Sequence, residues 1–292
     1  MASVVLRMGG HILAVEGTDE VVFFSSNAAF HPFVVYDARP EFMVRYSVAV
    51  NIPPRLATPL YSFTFEEISA ECRLYEDAGF FYFSMNEGNG TTLVSMQYRA
   101  GSNMVEASTC SNPSALRFSL WFACSMLYAN AHTTFVHSST IVHNGHAVLF
   151  LGESGTGKST HTRLWLENFD KTHLLNDDSP FLSIDDGGCP TVYGAPWSGK
   201  TPCYHPLQFP LKAVVRLSQA PHNRIRRLSI PAAIAALQPS LPPALMQSDF
   251  FADQLFVIIS AVISKTAVYH LECLPDANAA KLSCSTIYKD LP

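Results

Sequence analysis

The residues best suited to chemistry form one continuous run, Gly152-Glu153-Ser154-Gly155-Thr156-Gly157-Lys158-Ser159, followed by Thr160. The run fits the phosphate-loop pattern of Gly, four residues and Gly-Lys-Ser. Glycines let the backbone wrap so that successive N–H groups point at phosphate oxygens, and a helix N-terminus behind the loop adds partial positive charge. In such a loop the Lys158 ammonium reaches the outer phosphates and the Ser159 hydroxyl ligates Mg²⁺. The sequence therefore predicts a nucleotide site at residues 152–160.

The elements around this run are those that a phosphate loop requires. Five apolar residues, Ala147 to Leu151, precede it and are typical of a buried parallel strand. Leu164, Trp165 and Leu166 follow it and supply the apolar side of a helix. The alternative is a glycine-rich turn without a function, but the strand-loop-helix order favours phosphate binding.

A second group that can do chemistry is the acidic pair Asp177-Asp178, which follows the apolar residues Leu174-Leu175. A carboxylate at the end of a strand can hold Mg²⁺, and a second carboxylate can accept the proton of an attacking hydroxyl. Neighbouring residues on a strand point to opposite faces, so both acids reach one site only if the chain turns there, as Ser179-Pro180 suggests. The alternative is an exposed turn with two solvated acids.

Basic residues are concentrated downstream of the acidic pair. From Gly187 to Ser248 there is no Asp or Glu, while the same stretch holds Lys200, Lys212, Arg216, Arg224, Arg226 and Arg227. A local positive field would suit a triphosphate and an anionic substrate, although pairing with acids of the N-terminal region is an alternative. We take four of these residues as candidate substrate or phosphate contacts: Lys200, in a loop rich in Gly, Pro and Trp, and Arg224, Arg226 and Arg227.

Composition limits the class of protein. The chain has 292 residues, 48% of them hydrophobic, and a net charge of −5, so it can build a real core and has no basic field that would attract nucleic acid. Seven cysteines without a Cys-x-x-Cys pair argue against a disulfide framework or a structural zinc site. There is no signal-peptide pattern, and the longest apolar segment, Leu255 to Ile263, is too short to span a bilayer. We expect a cytoplasmic protein without nucleic-acid or membrane partners.

The order of patterns along the chain predicts two domains. Residues 1–110 read as an antiparallel β-rich domain of unknown role, with apolar runs at Val4 to Arg7, Val21 to Phe24, Phe42 to Val50, Phe80 to Met85 and Leu93 to Tyr98. Cys72 to Tyr75 favours a further strand over a helix beginning near Thr64. Residues 111–292 read as an α/β domain, which opens with a buried helix after Asn112-Pro113. The predicted fold class is therefore α+β or α/β, with mixed sheet and helices in the second domain.

One predicted strand, Val136 to His143, carries His137 and turns at Asn144-Gly145 to pair with the strand that enters the phosphate loop. Further downstream the patterns predict strands at Ala213 to Leu217 and Ala267 to Leu271. They also predict helices at Pro231 to Leu237 and Phe250 to Ser264, and a helix or turn from Pro275.

Three of these features together resemble the catalytic domain of HPr kinase/phosphorylase, a fold similar to the nucleotide-binding core of ATP-dependent phosphoenolpyruvate carboxykinase. They are His137 fifteen residues before Gly152, the run from Gly152 to Ser159, and Asp177-Asp178 after the helix. The resemblance covers roughly residues 130–285. It implies that Lys158 holds the β- and γ-phosphates, that Ser159, Asp177 and Asp178 hold Mg²⁺, that Asp177 acts as base, and that His137 lines the site.

The resulting hypothesis is a Mg²⁺- and ATP-dependent kinase that transfers the γ-phosphate to a hydroxyl. The acceptor is a serine of a protein or peptide, or a small molecule, and the sequence leaves open whether the chain forms a homo-oligomer. Two alternatives remain: a carboxykinase-like enzyme, and a nucleotide-binding sensor or assembly protein with little catalysis. The sensor gains support because the acid-free stretch has no counterpart of the Glu that follows the Asp pair in HPr enzymes.

Overall fold

A computed structural model describes residues 2–47, 50, 52–53, 56, 58–199 and 201–289. The chain divides into two compact units, Met1–Ala131 with Pro243–Gln254, and His132–Pro242 with Leu255–Pro292. The division falls after Ala131 rather than near residue 110, because helix α2 (Pro113–Ala129) packs against strands of the first unit.

The first unit is built on an eight-stranded sheet of order β1-β2-β3-β8-β7-β6-β5-β4. Its strands are β1 (Ala2–Met8), β2 (His11–Gly17), β3 (Phe42–Ser47), β4 (Tyr61–Phe65), β5 (Ala70–Asp77), β6 (Phe80–Asn86), β7 (Thr92–Arg99) and β8 (Met104–Ser108). The expectation of a purely antiparallel sheet is wrong, because β3 pairs in parallel with both β2 and β8. The reason is that the chain crosses over between β2 and β3, and that the meander of β4 to β7 separates β3 from β8.

One apolar run in this unit was predicted with the wrong secondary structure. Val21 to Phe24 lies in helix α1 (Asp19–Ser26), not in a strand, and a 3-10 helix (His31–Phe33) follows it. The buried Glu20 carboxylate accepts hydrogen bonds from the backbone N–H groups of Thr18 and Cys110, which holds the start of the helix. Residues 48 and 49 of the predicted strand Phe42 to Val50 lie outside the described residues.

The second unit is built on a nine-stranded mixed sheet. Its strands are β9 (Thr133–Phe135), β10 (Ser139–His143), β11 (His146–Leu151), β12 (Thr172–Asn176), β13 (Phe181–Ile184), β14 (Pro190–Tyr193), β15 (Gln208–Gln219), β16 (Arg224–Arg227) and β17 (Ala267–Cys273). The path runs β12-β10-β11-β15-β14-β13-β9, and β17 lies between β15 and β16. Strand β11 pairs in parallel with β15, and β15 with β17, so their carboxyl ends share one edge.

The helices of the chain's second half are α3 (Lys158–Asn168), α4 (Ile230–Leu237), α5 (Asp249–Lys265) and α6 (Ala277–Ile287), with 3-10 helices at Gln238–Ser240 and Leu245–Gln247. Trp165 of α3 is fully buried and packs with Phe150, Val215 and Ile287 in one apolar cluster. This cluster fixes α3 on the sheet directly behind the glycine-rich loop at residues 152–157. Within the described part of the chain, no helix has the length and apolar character needed to cross a membrane.

Candidate nucleotide and phosphoryl-transfer site

The sheet topology brings three segments with polar side chains to one edge. Strand β10 is antiparallel to both β11 and β12, so β11 and β12 run in the same direction. The loop at Gly152 follows β11, Asp177 follows β12, and Ser139 begins β10. All three segments therefore meet at the same end of the sheet. The predicted strand from Val136 begins only at Ser139, so His137 lies in the extended segment just before β10 and not on the strand.

The loop has the backbone shape that a phosphate cradle needs. Gly152, Gly155 and Gly157 have φ values of 153°, 81° and 100°, where side chains are strained. A Cβ at Gly152 would also lie 2.4 Å from the Thr156 hydroxyl oxygen. Helix α3 begins at Lys158, immediately behind the loop, so its N-terminal amides face the cradle.

Lys158 is held back toward the loop and beside His137. Its Nζ donates to the carbonyl oxygens of Gly152, at 2.7 Å, and Glu153, at 3.3 Å, and lies 3.0 Å from His137 Nε2. Burial lowers the pKa of the Lys158 ammonium; the two aspartates oppose this, and the nearby Arg216 adds to it. The structure therefore brings together the predicted residues His137 and Lys158 with the loop.

Asp177 faces the helix that carries the loop. The residue is 8% exposed, and its carboxylate accepts hydrogen bonds from Ser139 Oγ, at 2.6 Å, and Ser159 Oγ, at 3.0 and 3.3 Å. A hydroxyl and a carboxylate in contact, beside a phosphate cradle, form the donor set that Mg²⁺ uses together with substrate phosphates and water. Ser139 was not among the predicted site residues. Only the pairing of β10 with β12 reveals it.

Asp178 faces the other way, toward His137. Its Oδ1 lies 3.5 Å from His137 Nδ1, and its Oδ2 accepts a hydrogen bond of 2.8 Å from the Ser179 hydroxyl. Burial raises the pKa of Asp178, but hydrogen bonds from the His137 ring and the Ser179 hydroxyl, and the positive charge of Lys158, bring it below the usual range. Asp178 is thus a half-exposed carboxylate that stays ionised near neutral pH.

A turn built by Asn176 separates the two aspartates. Its Oδ1 accepts from the backbone N–H groups of Asp178 and Ser179, and its Nδ2 donates to the carbonyl oxygen of Trp197 at 2.8 Å. The backbone N–H of Gly199 donates to the carbonyl of Asp177 at 3.2 Å. Asn176, which the sequence analysis did not single out, therefore makes the turn that the acidic pair needs and ties it to the Trp197 loop.

Arg216 is a further residue of this site that sequence reasoning did not select. In the sheet register it pairs with Leu151, the last residue before the loop. Its Nη1 donates to the carbonyl of Ala236 at 3.2 Å, and its Nη2 lies 3.7 Å from Glu153 Oε1. The sequence shows a basic residue at this position, but only strand pairing places it beside the glycine-rich loop.

Two cavities flank the first turns of α3. One, of about 540 Å³, lies between the loop and the ends of β15 and β17; it is lined among others by Gly155, Thr160, Leu164, Gln219, Leu274 and Pro275. The Gln219 side-chain amide donates to the carbonyl of Gly155 at 3.0 Å, which ties this cavity to the loop. The other, of about 490 Å³, includes Ser159, Arg163, Leu174 and Asp177.

The remaining predicted contacts line neither cavity or lie outside the described residues. Lys200 is outside the described residues. Arg224, Arg226 and Arg227 lie on β16, separated from β15 by β17, and line neither of the two cavities. Within the described ranges, no group of three or more His, Cys, Asp or Glu side chains is arranged to hold a metal ion by itself.

Comparison of the chain with known protein families finds no family that matches it, and comparison with curated proteins finds no relative. The assignment of a function therefore rests on the site itself.

Proposed function

We propose that this protein is a phosphotransferase of the HPr-kinase-like type, which transfers the γ-phosphate of ATP to a hydroxyl group. The observation that carries the proposal is the 3.0 Å contact between Ser159, on the first turn of the loop helix, and Asp177. In phosphate-loop enzymes, a loop Ser or Thr and a strand-end Asp hold Mg²⁺ together. Because this protein's Ser and Asp meet beside an open glycine cradle, the site is suited to a nucleotide and its metal ion.

In this proposal the loop binds the phosphates of the nucleotide, and a neighbouring cavity binds its nucleoside. The amides of residues 153–159 and the Lys158 ammonium bind the β- and γ-phosphates. The nucleoside enters the cavity of about 540 Å³ beside Gly155 and Thr160, whose walls Leu164 and Pro275 suit a flat apolar base. Since ATP is the phosphate donor, we propose that the protein works in the cytoplasm.

Ser159 and Asp177 have the chemistry of Mg²⁺ ligands, with Ser139 orienting the carboxylate. When bound, the ion would neutralise charge on the phosphate oxygens. Because the Asp177 carboxylate already accepts hydrogen bonds from Ser139 and Ser159, we assign the role of base to Asp178 rather than Asp177. His137 lies between Asp178 and Lys158 and fixes the position of both side chains.

The proposed reaction balances with these residues. The acceptor hydroxyl oxygen attacks the γ-phosphorus while Asp178 accepts the hydroxyl proton. The bond between the γ-phosphorus and the β,γ-bridging oxygen breaks, and ADP leaves with that oxygen. Lys158 stabilises the negative charge that develops on the phosphate oxygens, and most of the rate enhancement comes from positioning and electrostatics.

The test separates binding from chemistry. Calorimetry should detect Mg²⁺-dependent ATP binding to the wild-type protein and its loss in Lys158→Ala, because the loop lysine is the main cation on the phosphates. Release of ADP is then measured with hydroxyl acceptors. Asp178→Asn should lower kcat by about 10²- to 10⁴-fold and leave the affinity for Mg·ATP nearly unchanged, since a general base acts only in the chemical step.

Asp177→Asn should instead raise the Mg²⁺ concentration required for nucleotide binding, and the exposed Asp186→Asn is the matched control without effect. Undiminished Mg·ATP affinity in Lys158→Ala would overturn the site. Tight binding without transfer to any acceptor would overturn the kinase assignment and favour the nucleotide-sensor alternative.

A further inference from the structure

A row of basic side chains leads away from the phosphate loop across three neighbouring strands. Arg216 of β15 is in register with His270 of β17, and His270 is in register with Arg226 of β16. Partners in register point to the same face of a sheet, so the three side chains lie side by side. We call Arg216, His270 and Arg226 the basic row.

Contacts within the basic row orient its members. Arg226 Nη2 lies 3.4 Å from His270 Nδ1, and His270 Nε2 lies 2.9 Å from Ser218 Oγ. A guanidinium can only donate, so Nδ1 accepts and Nε2 carries the ring proton. The imidazole is therefore held in one orientation between two arginines.

The end of the row at Arg216 belongs to the phosphate site. The Arg216 side chain is only 23% exposed, and the carboxylate near it is that of Glu153, itself 85% exposed on the loop. An ion pair with so exposed a partner contributes little, so an anion that binds Arg216 displaces Glu153 at low cost. Arg216 also affects the pKa of Lys158, so its charge is felt at the phosphate position.

The far end of the row is too distant to serve the nucleotide phosphates. Neighbouring strands lie about 4.8 Å apart, so the backbones of Arg216 and Arg226 are separated by about 10 Å. A compact molecule can span that distance, with its hydroxyl group at the phosphate loop and an acidic group on the row.

Resting on the proposed function, we propose that the basic row binds an acidic group of the acceptor. The substrate class is then a small hydroxyl compound with a carboxylate or phosphate group, whose oxyanion is held by Arg216, His270 and Arg226. Guanidinium groups match both kinds of oxyanion through paired N–H donors.

The charges around His270 provide a spectroscopic readout. Burial first, and then the charges of Arg226 and Arg216, lower the pKa of the His270 imidazole, while Glu272 on the same strand opposes them. A bound oxyanion offsets the positive charges of the two arginines, so it should raise the pKa of His270.

The experiment uses the full chain with Mg²⁺ and a non-hydrolysable ATP analogue, so that the γ-phosphate position is filled. Three probes with related hydroxyl groups are titrated: glycerol, glycerol 3-phosphate and glycerate. The His270 ring signal is followed by NMR and assigned with His270→Gln. We expect the two anionic probes to move this signal and raise the pKa, and glycerol to do neither.

Arg226→Gln should weaken binding of the anionic probes by about 10- to 100-fold, the loss expected for a charge-assisted hydrogen bond. Affinity for the ATP analogue should not change. Arg227→Gln is the matched control, because Arg227 neighbours Arg226 on β16 and points to the opposite face. A response to only one anionic probe identifies the acidic group as phosphate or carboxylate.

Equal effects of glycerol and the anionic probes, or unchanged anion binding in Arg226→Gln, would overturn this inference. Anion binding that the ATP analogue abolishes would overturn it too, because the anion would then occupy the nucleotide's own phosphate position. If the ATP analogue itself fails to bind, the proposed function fails, and titration of the nucleotide-free protein still tests the basic row.

Discussion

The buried His161 makes the second unit sensitive to acid. It lies on α3, is 2% exposed, and its Nε2 accepts a hydrogen bond of 3.2 Å from the Trp165 indole N–H. Burial lowers the pKa of His161 from 6.5 to about 4. At pH values between 4 and 6.5 the unfolded chain binds a proton that the folded chain does not, so the free energy of unfolding falls as the pH falls through this window.

The size of the effect follows from the two pKa values. With 6.5 in the unfolded and about 4 in the folded state, His161 alone removes about 2 kcal/mol of stability between pH 7.5 and pH 5.0. The full loss, reached below pH 4, is about 3 kcal/mol.

The assay compares how much stability the wild type and a variant each lose between two pH values. Denaturant unfolding is measured at pH 7.5 and 5.0 for the wild type and for His161→Gln, which cannot take up a proton. The wild type should lose about 2 kcal/mol more than the variant over this interval, and other titrating groups cancel in the comparison. His222→Gln, at an exposed position, should behave as the wild type does. Equal losses in the wild type and His161→Gln would refute the reasoning.

Three other predictions concern the site. Ser139→Ala removes a hydrogen bond that orients Asp177, so Mg²⁺ affinity in nucleotide binding should fall by about 10- to 100-fold, measured by calorimetry at several metal concentrations; unchanged affinity would contradict the role of Ser139. Gly199→Ala places a Cβ 2.7 Å from the Asp177 carbonyl oxygen and should impair Mg²⁺-dependent binding, whereas Gly88→Ala meets no atom within 4 Å and should have no effect. Burial is the main reason why the pKa of Lys158 is lowered, so this side chain should lose its proton at a lower pH than an ordinary lysine does. ATP affinity, measured as a function of pH, should therefore decline on the alkaline side, and Lys158→Arg should remove this decline because arginine stays charged. The same pH profile in both proteins would count against a charged Lys158 on the phosphates.

Local patterns were sufficient for many elements. The Asn144-Gly145 turn was predicted correctly, because the positive φ values of 49° and 76° suit Asn and Gly. The apolar runs before the phosphate loop and in α5 also formed the predicted strand and helix. The strand predicted at Val21 to Phe24 was wrong, because four apolar residues fit a strand and a helix equally well. The acidic residues in the first turn, and the packing of the segment, favour the helix.

The amino-acid sequence by itself predicted a glycine-rich loop between a strand and a helix, because the positions of its glycines, Lys158 and Ser159 form a local pattern. It also marked the acidic pair. Only the tertiary structure decided that Asp177 meets Ser159 while Asp178 meets His137, since an Asn176 turn and long-range contacts direct them apart. Arg216 lies at the site because its strand pairs with the strand of Leu151, more than sixty residues earlier in the sequence. Register between distant strands depends on the whole packed sheet, and no short stretch of sequence contains it.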